Sequence, residues 1–235
     1  MDKLLWEPAP VPRRGPRPAF TLADIARAGI AIADADGLAA VTMQRVADQL
    51  GVTKMALYRY VPGKAELVAL MLDIGLDGPP DLDDRDWRAA LDAWARALFA
   101  AFVAHPWALE AAVGARLIGP NELGWLESAV AALTGTGLRG DEMLDVAVIL
   151  VGHARNLAAQ TTATPVDAEG ALDDAIAGLV AGREDRFPAL SAALREVRPD
   201  QQNQALDFGL ARILDGVGAL IADRGSGATG AHPVP

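Results

Sequence analysis

The residues of this chain that are best suited to chemistry lie in the run TMQRVADQLGVTKMALYRYV, which begins at Thr42. Within it, Gly51 and Leu57 follow Ala47 at offsets of four and ten residues. A helix-turn-helix needs a small residue where its helices cross, a turn residue that tolerates positive φ, and an apolar anchor on its second helix. All three are present, and the chemistry that they predict is the reading of base edges in the major groove of DNA.

A plain helical hairpin could leave the same spacing, so the neighbouring residues must decide between the two interpretations. The chain has two tyrosines, Tyr58 and Tyr60, and both end this segment, where their hydroxyls can donate to phosphate oxygens. Lys64 follows at the predicted start of the next helix, a place where free amides and the helix dipole favour a phosphate. These neighbours favour DNA binding.

The distribution of charge removes an objection to that interpretation. A net charge of −10 is unusual for a nucleic-acid binder, because DNA affinity rests largely on neutralised phosphates. However, residues 1–76 hold nine Lys and Arg against eight Asp and Glu, whereas residues 77–235 hold twelve against twenty-three. The acid therefore lies outside the predicted DNA-reading part. Arg13, Arg14 and Arg17 add a Pro-rich basic arm, for which a merely solubilising tail is the alternative.

The elements that must position these residues are predicted to be short helices. Thr21 with Asp24 has the pattern of a capping box, and Thr42 and Thr53 can cap the two helices of the motif. A fourth helix should follow Pro62-Gly63. The predicted helices run from Leu22 to Asp36, from Thr42 to about Leu50, from Thr53 to about Tyr60, and from Lys64 towards Gly78.

The rest of the chain is also helical in pattern, with no convincing β alternation and no internal repeat. We therefore predict an all-α fold, in which an N-terminal three-helix helix-turn-helix domain precedes a larger helical ligand-binding and dimerisation domain. The segment from Met143 to Val151 is apolar nearly all round, which favours burial. The predicted boundaries are a flexible basic arm at 1–20, the DNA-binding domain at 21–76, the helical domain at 81–223, and a disordered tail at 224–235.

Several classes of protein are disfavoured. Three histidines, no cysteine, no Gly-rich phosphate loop and no H-E-x-x-H pattern leave little from which to assemble an enzyme, a metal centre or a cofactor site. No apolar run approaches the ~18 residues of a membrane span, and the N-terminus has no apolar signal segment. We expect a cytoplasmic protein without catalytic residues, metal or cofactor.

At this point the sequence resembles the TetR family of bacterial regulators. The run FTLADIARAGIAIADADGLAAVTMQRVADQLGVTKMALYRYVPGKAELVALM matches the N-terminal pattern of that family, including LYRYVPGKAEL between the recognition helix and the fourth helix. The resemblance implies a dimeric repressor that a small molecule releases from a palindromic operator. It also implies DNA contacts, with Thr42 on a phosphate, Gln44, Thr53, Lys54, Met55 and Ala56 near base edges, and Tyr58, Tyr60 and Lys64 on the backbone.

A looser resemblance, over about residues 86–160, is to the C-terminal domain of the tetracycline-repressor-like branch, which binds a small molecule. Candidate ligand contacts are the aromatic and polar residues of that stretch, Trp94, His105, Trp107, Arg116, Trp125, His153, Asn156 and Gln160. Tetracycline-binding relatives hold a drug-bound magnesium through histidine and a partner-chain glutamate, and the matching segments here lack those residues. Neither tetracycline nor a metal is therefore expected, and the effector stays unnamed.

A dimer is expected because one recognition helix reads only ~3 to 5 base pairs, so paired half-sites are needed. The apolar stripe of residues 200–223, together with the helix predicted at 141–162, would give a four-helix bundle at a two-fold axis. The alternative is that one or both helices belong wholly to the core of the protomer. A DNA-binding regulator or architectural protein without ligand response is the alternative function.

Overall fold

The computed structural model describes residues 3–6, 20–82, 86–163, 168–197 and 204–228 of the 235-residue chain. All of the regular structure in these residues is helical. The α-helices are α1 (Lys3–Trp6), α2 (Leu22–Asp36), α3 (Met43–Gln49), α4 (Lys54–Tyr58), α5 (Lys64–Gly75), α6 (Trp87–Ala104), α7 (Trp107–Ala111), α8 (Pro120–Ala132), α9 (Gly140–Ala163), α10 (Ala168–Val180), α11 (Pro188–Glu196) and α12 (Ala205–Ala228), with a 3-10 turn at Leu38–Ala40.

We call residues 20–76 the head. Its first three α-helices begin where the sequence places a capping threonine, because a hydroxyl can accept one of the amide hydrogens that the first helical turn leaves free. The Thr21 side chain accepts from the Asp24 amide while the Asp24 carboxylate accepts from the Thr21 amide, a complete capping box. The Thr42 hydroxyl accepts from the Arg45 amide at 3.1 Å, and Thr53 accepts from Ala56 at 3.2 Å. The predicted helix starts are confirmed.

We call residues 86–228 the body. Its long helices α6, α9 and α12 pack on one another, with α8 against α6 and α9. The His153 ring of α9 lies against the backbone near Leu206, and Arg224 pairs with Glu142 at the other end. These contacts make α9 and α12 antiparallel. Arg88 and Arg96 of α6 hold Asp215 and Asp207 of α12, each at 2.6 Å.

The structure adds helices that the hydrophobic pattern did not predict and moves some boundaries. Helix α11 was not predicted, and α7 lies in the segment between His105-Pro106 and Ile118, whose hydrophobic pattern does not decide between helix and loop. Helix α12 continues to Ala228, past the start of the predicted tail at 224. Residues 3–6 of the predicted arm form a helical turn, in which the Trp6 indole donates to the Ile118 carbonyl at 3.0 Å. That contact joins the start of the chain to the body.

Burial in the middle of α9 also differs from the expectation. Within one protomer, Leu144, Val148 and Ile149 are 46%, 67% and 53% exposed, so the apolar run is buried on one side only. The buried side, including Leu150 and Ala154, packs on α6 and α12. Among the described residues, one apolar side of α9 is therefore left largely exposed in the protomer. Within the described residues, no helix is both long enough and apolar enough to cross a membrane.

Candidate DNA interface and candidate ligand cavity

The packing of the helix-turn-helix follows from its three marker residues. Ala47 and Leu57 have no exposed surface, so α3 and α4 approach each other over a small side chain and are anchored by a large one. The Val52 amide donates to the Ala47 carbonyl at 2.9 Å across the turn. Gly51 adopts φ 68°, a conformation that side chains with a Cβ disfavour. The small residue, the positive φ and the apolar anchor that were predicted for the motif are therefore all observed.

The outer face of α3 and α4 presents the residues that were predicted to lie near base edges. Met55 is 74% exposed, an unusual position for a large apolar side chain. The Lys54 ammonium lies 5.7 Å from the centre of the Tyr58 ring, and the Gln44 amide donates to Asp48 at 2.7 Å. Ala56 is half-buried. This face therefore offers an ammonium, an amide and a methionine side chain to solvent.

The residues predicted to hold the DNA backbone differ in their surroundings. Tyr58 is exposed, whereas Tyr60 is half-buried against Phe20, with the ring centres 4.6 Å apart. The Lys64 ammonium lies at the N-terminus of α5 and donates to the Leu38 carbonyl at 3.4 Å, a long contact that a phosphate could replace. Thr42 and Thr53 are exposed, but their hydroxyls cap α3 and α4. Arg13, Arg14 and Arg17 lie outside the described residues.

The body contains a cavity of about 280 Å³ between α6, α8 and α9. Its walls are apolar except for three charged residues, Arg116, Glu122 and Arg155. Small-molecule sites have this composition, mainly apolar with a few placed polar groups. The apolar lining consists of Leu76, Trp94, Leu98, Phe102, Ala112, Ile118, Leu123, Trp125, Leu126, Ala147, Val148 and Val151.

The charged residues of the cavity are incompletely satisfied. Arg116 pairs with Glu122, whose pKa is raised mainly because burial penalises its charged form, an effect that Arg116 opposes. Arg155 donates through Nη2 to the Leu109 carbonyl at 2.7 Å. The buried Nε atoms of both arginines have no hydrogen-bond partner among the described residues. Buried donors are normally paired, so the two Nε atoms are candidate ligand contacts.

The cavity brings together three of the eight residues that the sequence singled out for ligand binding, namely Trp94, Arg116 and Trp125. The other five lie outside the cavity. The His105 and Trp107 side chains bond Asp34 of the head, and His153 lies against α12. Asn156 and Gln160 are exposed on α9.

Sequence reasoning missed Arg155 and Glu122, which the cavity includes. A signal for Arg155 exists, since it follows Val148 and Val151 at helical spacing and so places a charge on an apolar stripe. Glu122 stands three residues into α8, where an acid has an ordinary explanation in the helix dipole. Its part in the cavity needed tertiary information.

A buried carboxylate joins the cavity wall to the head. Asp73, 4% exposed near the end of α5, accepts from the Glu122 amide at 3.0 Å, and its carbonyl accepts from the Asn121 side chain. Burial raises the pKa of Asp73, while the backbone amides of Glu122 and Asn121 act in the opposite direction. A Cβ on Gly119 would lie 2.2 Å from the Asp73 carboxyl carbon, so glycine is needed for this approach. Helix α5 is thereby fixed to the start of α8.

A second junction lies at the end of α2. Asp34 accepts from the Trp107 indole at 2.7 Å and lies 2.8 Å from His105 Nδ1. Trp107 is 4% exposed and its ring also lies beside Gly75 of α5. Two acids of the head, Asp34 and Asp73, thus hold the body. Within the described residues, no group of three or more His, Cys, Asp or Glu side chains could hold a metal ion.

Comparisons with known families match both halves of the chain. The family described as "Bacterial regulatory proteins, tetR family" matches residues 25–71, and "Tetracyclin repressor-like, C-terminal domain" matches residues 79–221. The HTH-type transcriptional repressor DrrR1 of Streptomyces coeruleorubidus is 36% identical over 235 residues, covering 94% of this chain and 86% of that protein.

Solved structures are similar over most of the chain. ActR from Streptomyces coelicolor, without ligand, superposes with a TM-score of 0.74 at 24% identity, covering 90% of this chain and all of that one. The complex of ActR with actinorhodin gives the same TM-score and identity, covering 86% of this chain and 98% of that one. At this identity the likeness shows the shared fold.

Proposed function

The chain belongs to the TetR family of bacterial regulatory proteins, and we propose that it is a repressor that a small molecule releases from a palindromic operator. The observation that carries the proposal is the cavity in the body, which is joined through Glu122 and Asp73 to α5. Helix α5 begins six residues after α4 ends, so it connects the ligand site with the DNA-reading helix.

The proposed DNA contacts are those of the exposed face of α3 and α4. Lys54 can donate to guanine, Gln44 to adenine, and Met55 can contact a thymine methyl group. Tyr58, Tyr60 and Lys64 fix the helix on the phosphates, with Arg13, Arg14 and Arg17 proposed beside them. The Lys54 ammonium and the Met55 side chain are both exposed, which supports the assignment.

The proposed effector is a small molecule that occupies the cavity and changes the position of α8 relative to α5. Relatives support such a role, since ActR has been solved in complexes with actinorhodin and with (S)-DNPA, and DrrR1 is described as a repressor. The Arg116–Glu122 pair lies in the cavity wall, and the Glu122 amide bonds Asp73. A ligand that competes for Arg116 would act directly on this connection. Such coupling needs only ~1 to 3 kcal/mol.

The proposed dimer forms through α9 and α12. Each helix buries one side within the protomer and leaves apolar residues exposed, including Ile149 and Phe208, the latter 66% exposed. Gly209 admits the His153 ring of α9 and is used inside the protomer, whereas Gly216 is open. Changing Ile149 and Phe208 to Glu should give a monomer in sedimentation, while Leu179→Glu, an equally exposed leucine on α10, should leave the dimer intact. A monomeric wild-type protein at micromolar concentration would refute the dimer.

The decisive experiment is footprinting on the DNA around the gene of the protein, repeated with a panel of small molecules. One protected palindrome with half-sites ~34 to 36 Å apart, released by a panel member, is the expected result. Val151→Trp should fill the mouth of the cavity and abolish release while operator binding stays. Equal affinity for unrelated duplexes, with no release by any compound, would instead support a DNA-binding protein without ligand response.

A further inference from the structure

The hydrogen-bonding groups inside the cavity define what can bind there. The indole N–H of Trp94 already donates to the Trp125 carbonyl at 2.9 Å and to Ser128 at 3.1 Å, and the Trp125 indole donates to the Asp77 carbonyl at 3.0 Å. Both aromatic walls therefore present ring surface and no free donor to a ligand. Among the described residues, the buried side-chain nitrogens of the lining that have no hydrogen-bond partner are the Nε atoms of Arg116 and Arg155.

The charge of the cavity wall has a definite sign. It contains two guanidinium cations and one carboxylate, that of Glu122. Glu122 pairs with Arg116. Arg155 takes part in no ion pair among the described residues, and its described partner is the neutral Leu109 carbonyl. The wall is therefore left with one uncompensated positive charge, at Arg155.

The shape of the apolar wall favours rings. Trp94 and Trp125 meet edge to face, with their ring centres 5.7 Å apart and an interplanar angle of 70°, and Phe102 lines the same cavity. Aromatic walls of this kind make their best contacts with the faces and edges of other rings. Apart from Arg116, Glu122 and Arg155, the remaining side chains of the lining are aliphatic, and the one acidic acceptor, Glu122, already pairs with Arg116. A ligand rich in hydroxyl or amine donors would therefore lose hydrogen bonds on entry.

From these observations we infer that the natural effector is a ring-bearing, mostly apolar organic anion, whose acidic group is bound by Arg155 and reaches the Nε of Arg116. The inference rests on the proposed function, because it names the class of molecule for the same cavity. Arg155 is a specificity-determining residue, since a charge-assisted hydrogen bond distinguishes the anion from a neutral molecule with the same rings.

The test uses two fluorescent probes with one ring skeleton. Anilinonaphthalene sulfonate carries an anionic group, and phenylnaphthylamine has the same rings without it. We expect the wild-type full-length protein to bind the sulfonate at least about tenfold more tightly, the difference that a charge-assisted hydrogen bond makes. Val151→Trp should weaken both probes, which identifies the cavity as their site.

Three variants separate charge from shape. Arg155→Gln should weaken the sulfonate about ten- to hundred-fold and leave phenylnaphthylamine unchanged, which also shows that the variant is folded. Arg155→Lys should keep part of the preference, since it keeps the charge. Arg183→Gln removes an exposed arginine whose described contact is the Leu179 carbonyl of its own turn, so it should change neither probe.

The outcomes distinguish the inference from the proposed function. If both probes bind in the cavity with equal affinity, or Arg155→Gln leaves the preference intact, the anion inference is overturned while a ligand cavity remains. If Val151→Trp weakens the binding of neither probe, the cavity is not a ligand site and the proposed function fails with it. Loss of the sulfonate alone in Arg155→Gln supports the inference.

Discussion

The head and the body use ionisable and polar groups in opposite ways. In the head, the polar groups that face outward are exposed and close to solvent, as Lys54 and Lys64 are. In the body, Arg116, Glu122 and Arg155 line an apolar cavity, and two of their nitrogens have no partner among the described residues. An exposed cation costs little and binds phosphates of any sequence, whereas a buried unpaired donor costs free energy until a ligand satisfies it. The DNA-facing groups of the head are therefore solvated before DNA binds, whereas the cavity of the body has buried donors that only a ligand would satisfy.

If the head is stabilised by its own small core, removing the anchor of α4 should impair the head and leave the cavity of the body intact. Leu57→Ala removes a side chain with no exposed surface and should destabilise the head by about 2–5 kcal/mol. Operator binding, measured by gel shift, should fall as the free energy of unfolding of the head approaches zero, because only the folded head binds DNA. Phenylnaphthylamine should still bind the cavity.

The matched control for that change is Met55→Ala, on the same helix but 74% exposed. Its free energy of unfolding should stay within about 0.5 kcal/mol of the wild type, since surface substitutions rarely do more. Equal destabilisation by the two variants, measured in urea, would contradict the idea that Leu57 anchors the head.

The contacts of the head with the DNA backbone can be removed without disturbing its core. Tyr58→Phe with Lys64→Ala should weaken operator binding about ten- to hundred-fold, because a charge-assisted contact and a hydroxyl contact are lost from each subunit. With about eight neutralised phosphates, the wild-type dimer should show a log–log salt slope near −7, and the loss of two lysines should make it shallower by about 1.8. An unchanged slope would argue against the backbone role of Lys64.

The contact between Gly119 of the body and Asp73 of the head can be disturbed by adding a single Cβ atom. Gly119→Ala places a Cβ 2.2 Å from the Asp73 carboxyl carbon and should cost about 1–3 kcal/mol, as overpacking does. Gly124→Ala, inside α8 and 3.7 Å from the nearest atom, should instead be neutral or stabilising by up to about 1 kcal/mol. Urea unfolding of the pair measures the difference, and equal effects would remove Gly119 from the junction.

The smallest expected effect concerns the charge of Asp73. Burial raises the pKa of Asp73, so the folded state binds the proton more tightly than the unfolded chain does. The contribution of Asp73 to the free energy of unfolding therefore falls as the pH rises from 3.8 through the raised pKa. Asp73→Asn keeps an acceptor for the Glu122 amide and has no charge to bury. The variant should therefore gain stability relative to the wild type at pH 7 and lose that advantage near pH 4.

Urea titrations at several pH values between 4 and 7 measure this difference, and Asp48→Asn, an exposed acid of α3, is its control. A constant difference between Asp73→Asn and the wild type across that range would show that Asp73 is not held with a raised pKa. Asp141, which is exposed, and Glu142, which is half-buried, have pKa values lowered by Arg139, so they act in the opposite sense and at lower pH. They are common to both proteins and cancel.

The structure of the head could be predicted from spacing along the chain, because the physical causes there are local. A threonine caps the helix that follows it, Gly51 allows the positive φ of the turn, and the offsets of Ala47 and Leu57 fix the helix crossing. Each cause acts within about ten residues of chain, so spacing is enough to predict it. The all-α fold and the helix predicted at 141–162, observed as α9, followed for the same reason, from helical periodicity.

Which residues line the cavity and which form the junction could be seen in the tertiary structure alone. Trp94, Trp125 and Trp107 look alike as aromatic residues on helices, yet the first two line the cavity while Trp107 bonds Asp34 of the head. Arg155 meets the Leu109 carbonyl 46 residues away, and Asp73 meets α8 across 49. Long-range pairings of this kind arise from how helices pack, and no spacing along the chain encodes which buried nitrogen is left without a partner.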